Sequence, residues 1–180
     1  LGINYLVVMG YKLIQMKGTT MKKIITILML LTATALYADT SVDIAFSFIQ
    51  ERESFRANVY TLKGVKHIGY GFTDPKLVKL GRMTKKRANA ELRKMIESDL
   101  VFLRSQVKGL NKHQEAACLS FIYSTGRGAF ASSTILKHLK RGNITAASKE
   151  FDKWVYANGV VMNGLVKRRS QEKRLMLKAV

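Results

Sequence analysis

Cysteine is almost absent from this sequence: Cys118 is the only one in 180 residues. A single thiol excludes an internal disulfide. With His67, His113 and His138 scattered and no H-E-x-x-H run, no metal cluster is expected and no cofactor is called for. Cys118 lies in the apolar run Ala117-Cys118-Leu119, the setting of a buried, inert thiol. Acidic residues are scarce as well, 12 against 31 Lys and Arg, for a formal charge of +19. Such a bias predicts polyanionic partners: nucleic acid, an anionic membrane face or an anionic cell wall. The scarcity is sharpest from Glu53 to Asp74, between which no acidic residue stands. There is no tandem repeat and no low-complexity stretch. A hydrophobic share of 47% points to a globular chain with a real core.

The first 38 residues do not read as fold. The chain opens on Leu1, and residues 1–20 hold no acid and no clear pattern, so they are expected to be an upstream extension with the start at Met21. Met21-Lys22-Lys23 is a positive n-region, Ile24 to Leu36 an apolar h-region, and Ala33-Thr34-Ala35 and Leu36-Tyr37-Ala38 offer cleavage sites. This is the form of a secretory signal peptide. The alternative is an uncleaved signal anchor, although the apolar run is shorter than the ~20 residues of a spanning helix. Removing residues 1–38 leaves 27 basic and 12 acidic residues, or +15. An exported protein this basic does not meet nucleic acid as its normal partner. The charge argument therefore turns toward the envelope, with transient membrane contact through the N-terminal segment.

Residues 39–180 read as an α+β domain. Ser41 is placed to cap a helix running to about Phe55. Val59 to Leu62 and Val65 to Tyr70 flank Lys63-Gly64 as a hairpin, and Asp74-Pro75 breaks the ribbon. From Thr84, Ala88, Leu92, Ile96, Leu100, Leu103 and Val107 keep one face of a long helix that Gly109 ends. Asn111 with Gln114 makes a capping box for the next helix, which Gly126 and Gly128 break. Shorter helices are predicted at about 133–140, 145–156 and 165–178.

These residues carry a resemblance. Glu53-x-x-Arg56-x-x-x-Tyr60 followed by Gly64-x-x-x-Ile68-Gly69-Tyr70-Gly71 resembles the phage-type lysozymes, the endolysins of glycoside hydrolase family 24. The stretch from Cys118 to Asn143 is similar to the family's S-F-x-x-N-x-G-x-G-A-F-x-x-S-T-L segment. Phe151 to Trp154, Gly164-Leu165 and Arg168-Arg169-x-x-Glu172 fit its last part. The resemblance covers about residues 42–178. It implies a lysozyme-like fold, a small N-terminal lobe with a β-hairpin joined by a long helix to a helical C-terminal lobe. It also implies a muramidase that cleaves the β-1,4 bond between N-acetylmuramic acid and N-acetylglucosamine in peptidoglycan, and the chain is expected to act as a monomer. The family's catalytic Glu falls on Glu53. Its Thr position holds His67, and its Asp position falls at Thr61 or Leu62. Ser124 stands where the family often has Asn. Tyr123 and Ser133 fall where the family lines its cleft, with ordinary helix packing as the alternative, and Tyr70 and Ser124 join them as candidate substrate-binding residues.

Glycoside cleavage needs a proton for the leaving oxygen and a second group that activates water or stabilises the anomeric carbon. Glu53, near a helix C-terminus, suits the first task, and a surface pair with Arg56 is the plainer alternative. His67 alternates with the core-directed Ile68, so it faces the cleft, as base, nucleophile or hydrogen-bonding group. Thr61 can orient a water. Trp154 reads as core, and the basic stripe over residues 82–94 as a solvated face that also attracts anionic wall polymers. Alternatives to a hydrolase are a lytic transglycosylase using Glu53 alone, a wall-binding protein without catalysis, and a basic protein acting on membranes or nucleic acid through charge.

Overall fold

The computed structural model describes Lys23, residues 39–62 and residues 64–179. The leader and upstream extension read from residues 1–38 lie outside these but for Lys23 and carry no structural description. Among the described residues, no helix is long and apolar enough to cross a membrane. Residues Thr40–Val180 form one compact unit.

Helix α1, Ser41–Gln50, is capped by Thr40 rather than Ser41. The Thr40 hydroxyl accepts the Asp43 N–H at 3.2 Å, and the Asp43 carboxylate accepts the Thr40 N–H at 3.2 Å. Only Thr40 has an acid three residues on to complete this reciprocal box. The helix also stops short of Phe55. Arg52 and Glu53 N–H groups both donate to the Ile49 carbonyl at 3.0 Å, closing one last turn. The chain then leaves as β1, Arg56–Leu62, which pairs antiparallel with β2, Val65–Gly69. The loop at Gly81–Met83 runs along the other edge of β1, where Val59 N–H donates to Gly81 at 3.1 Å and Met83 N–H to Ala57 at 2.7 Å.

Asp74-Pro75 ends the ribbon as expected and opens the short helix α2, Pro75–Val78. Helix α3, Lys85–Gln106, starts from Thr84 and buries Ala88, Leu92, Ile96 and Leu103 on one face. Asn111 and Gln114 form the expected capping box of α4, Lys112–Thr125. Every residue from Glu115 to Ile122 is buried, so α4 is the central helix, with α1, α3 and α8 packed around it. Gly126 ends α4 at φ +89°, a left-handed conformation that favours glycine. Gly128, read as a second breaker, sits inside helix α5, Arg127–Ser132, because Gly126 alone makes the turn.

Helix α6, Thr134–Lys140, and helix α7, Ile144–Glu150, follow, and a 3₁₀ turn covers Phe151–Lys153. The helix predicted to reach residue 156 stops early. In its place a small hairpin pairs β3, Tyr156–Ala157, with β4, Val160–Val161. Helix α8, Asn163–Met176, closes the chain. Trp154 packs edge-on against Phe121 with ring centroids 5.0 Å apart, which bears out its reading as core. The α+β architecture agrees with the fold class read from the sequence.

Candidate active site

The end of α1 and the start of α8 meet at Glu53. Arg168 Nη1 donates to Glu53 Oε1 at 2.9 Å. The same guanidinium reaches the Ser120 carbonyl through Nη2 at 3.2 Å and Glu172 Oε1 through Nε at 3.2 Å. Glu172 is fully buried, and Ser120 Oγ donates to it at 2.6 Å while Arg169 supplies a second cation. Burial pushes the Glu172 carboxyl above the ordinary range, against the pull of Arg169, Ser120 and Arg168. Glu53 is thus tied to a buried charged network rather than to Arg56, whose guanidinium lies over the Tyr60 ring at 4.4 Å. Beside it, Arg52 donates to the Phe48 carbonyl and to Gln171, joining α1 to α8.

A cleft of about 710 Å³ opens at this junction, lined by Glu53, Arg168, Met162 and Leu165 among others. Met162 lies between the small hairpin and α8, outside the helices predicted at 145–156 and 165–178. Arg168 was read only as a motif residue. Its pairing with Glu53 spans 115 positions, which no local pattern reveals.

The β1–β2 hairpin holds the other candidate groups, and none of them, His67 included, is among the residues that line this cleft. Tyr60 and His67 stand directly opposite each other, their rings stacked at 5.3 Å with a 20° interplanar angle. His67 Nδ1 lies 3.2 Å from the Gly71 carbonyl oxygen. Ile68 is fully buried, so His67 faces away from the core as its strand position predicts. Thr61 pairs with Lys66 in the next register step. The pleat therefore turns Thr61 to the face opposite Tyr60 and His67, exposed to solvent. The structure does not bring it to His67.

The four candidate substrate-binding residues divide. Tyr123 is at the site: burial and the neighbouring Glu53 push its hydroxyl up, with smaller contributions from Tyr60 and Tyr70 against the pull of Arg168. Its hydroxyl donates to the Tyr70 carbonyl at 2.6 Å. Tyr70 itself is buried, its hydroxyl bonded to Asn89 and Gln50 at 2.7 Å each, so it braces the wall rather than lining the cleft. Ser124 accepts from Arg169. Ser133 is buried, caps α6 through the Leu136 N–H and donates to the Phe130 carbonyl at 2.7 Å. Asp74, the nearest acid after Glu53, caps α2 through the Lys76 N–H at 2.7 Å. It lines a separate cavity of about 830 Å³ between residues 72–77 and α3. Among the described residues, no group of three His, Cys, Asp or Glu side chains is placed to hold a metal ion.

Residues 50–172 match the family model described as phage lysozyme. An endolysin of Bacillus phage B103 is 48% identical over 68 residues, 38% of this chain and 26% of that protein. The chain thus spans about a quarter of that relative's length. An endolysin of Acyrthosiphon pisum secondary endosymbiont phage 1 is 37% identical over 134 residues, 71% of this chain and 90% of that one. Among solved structures, the muramidase domain of SpmX from Asticcacaulis excentricus superposes with a TM-score of 0.68 at 30% identity, covering 75% of this chain and 95% of that one.

Proposed function

The chain belongs to the phage lysozyme family, and on that premise we propose that it hydrolyses the β-1,4 bond between N-acetylmuramic acid and N-acetylglucosamine in peptidoglycan. Glu53 is the proton donor and His67 the base. The observation that carries this reading is the anchoring of Glu53 at the cleft. Arg168 engages Oε1 at 2.9 Å, and Glu53 lines the cleft beside it.

In the proposed step Glu53 gives its proton to the leaving oxygen as the bond to the anomeric carbon breaks. Water adds its oxygen to that carbon and gives a proton to His67. The imidazolium then releases that proton to solvent, and Glu53 takes one up. Tyr123, next to Glu53, is fixed by its bond to the Tyr70 carbonyl. Thr61 has no part in this step. The sugar's own 6-hydroxyl can replace water where a second carboxylate is missing, and the products distinguish that outcome.

The wider reading is a monomer that acts on the wall after export by the 21–38 segment. The exposed Lys85, Lys86 and Lys94 of α3 supply positive charge toward anionic wall polymers. Glu53→Gln tests the assignment. Peptidoglycan digestion is expected to fall by ~10²–10⁴ with the circular dichroism spectrum unchanged. Full digestion by the folded variant removes Glu53 from the mechanism.

A further inference from the structure

Ile68 and Phe72 exchange backbone hydrogen bonds in both directions, at 3.0 and 2.9 Å, so the chain reverses through Gly69-Tyr70-Gly71 alone. Gly69 is required there by space as well as conformation, since a Cβ would stand 2.8 Å from the Phe72 ring at φ +67°. Gly71, at φ +88°, presents its carbonyl to His67 Nδ1 at 3.2 Å. A carbonyl oxygen only accepts, so this contact is a hydrogen bond when Nδ1 carries the hydrogen. In the neutral ring the lone pair then sits on Nε2.

One side chain lies close to both ends of this arrangement. The Tyr60 ring stacks on the His67 imidazole, and a Cβ added at Gly71 would lie 3.9 Å from the Tyr60 hydroxyl oxygen. Tyr60 is in turn covered by the Arg56 guanidinium, 4.4 Å from its ring centroid. The χ2 torsion of histidine is broad, so a ring without such a neighbour turns freely and exchanges its nitrogens between partners.

We propose that Tyr60 is a positioning residue for His67. Its ring holds the imidazole plane so that Nδ1–H stays on the Gly71 carbonyl and Nε2 keeps its lone pair for the substrate side. The inference rests on the reading of His67 as base. When water gives a proton to Nε2, the imidazolium that forms keeps Nδ1–H on the same carbonyl. No other group has to move, and the proton leaves from Nε2 to solvent.

The test uses the ¹⁵N-labelled protein. Long-range ¹H–¹⁵N spectra of neutral His67 report which nitrogen carries hydrogen, and kcat and KM on soluble peptidoglycan are measured beside them. The wild type is expected to show the Nδ1–H form alone. Tyr60→Leu is expected to show both forms, with kcat down about tenfold and KM little changed. Tyr60→Phe keeps the ring and recovers most of kcat. Should Tyr60→Leu fail to fold, Tyr60→Val, a strong strand former, takes its place. An Nε2–H form in the wild type overturns the proposal. So does a ring-less variant that keeps both the Nδ1–H form and the wild-type kcat. If His67→Ala keeps full kcat while Tyr60→Leu still mixes the two forms, the positioning stands and the base assignment fails.

Discussion

Arg168 reaches Glu53 from 115 residues downstream and holds its carboxylate at 2.9 Å. The pair joins the last turn of α1 to the first turns of α8, so the candidate acid is set by the packing of two helices rather than by its own loop. Arg168 is itself buried, with its remaining donors on Ser120 and Glu172. Stability and site geometry are therefore coupled at this one guanidinium.

Arg168→Met removes the cation and leaves Glu172 and the Ser120 carbonyl short of a partner. Loss of one member of a buried pair costs about 3–5 kcal/mol. Urea unfolding is expected to show a loss of that order. Arg168→Lys recovers only part of it, because an ammonium does not reproduce the three-way fork.

Thr61→Ala and Asp74→Asn are expected to digest peptidoglycan at rates within about twofold of wild type, since surface changes away from the site act weakly. Thr61 lies on the opposite hairpin face from His67, and Asp74 caps α2 beside another cavity. A tenfold loss in Thr61→Ala contradicts the division of the hairpin into two faces.

Much of this arrangement was legible in the chain. The Asn111–Gln114 box, the buried face of α3 and the outward parity of His67 against Ile68 all follow from local spacing. The small β3–β4 hairpin was missed because its strands are two residues each, too short for periodicity. Its one signal was the turn dipeptide Asn158-Gly159, whose φ angles of +52° and +76° are those a tight hairpin turn requires. The separation of Thr61 from His67 needed the pairing register, which a shift of one residue reverses. The Glu53–Arg168 pair needed the tertiary fold.

His113 links stability to pH. It is buried, and its Nδ1 has no hydrogen-bond partner. Burial, with Lys178 and Lys112 adding to it, holds its pKa below the ordinary value of 6.5. The unfolded chain therefore takes up a proton first as pH falls. The stability contributed by neutral His113 is present in full above that value and is lost as pH drops toward the lowered one. Asp43 and Glu150, held low by hydrogen bonds from Thr40 and Lys153, lose their contributions only in more acid solution. Glu172 and Asp99, raised by burial, act in the opposite sense, so the His113 contribution is read as a difference: between pH 8 and pH 5 the urea midpoint is expected to change less favourably in the wild type than in His113→Gln.

Cys118 is fully buried, and burial pushes its thiol up, with Glu172 and Glu115 adding to the effect. Ellman's reagent is expected to leave the native protein unmodified and to titrate one thiol after unfolding in guanidinium. Rapid native reaction contradicts the packing of α4.

Hydrolysis by Glu53 with His67 as base leaves a defined product, and mass spectrometry of digested purified peptidoglycan reads it. The wild type is expected to release fragments ending in reducing N-acetylmuramic acid, with yields lower by ~10²–10⁴ from Glu53→Gln and markedly lower from His67→Ala. Fragments ending in the 1,6-anhydro sugar, with His67→Ala as active as the wild type, contradict that assignment.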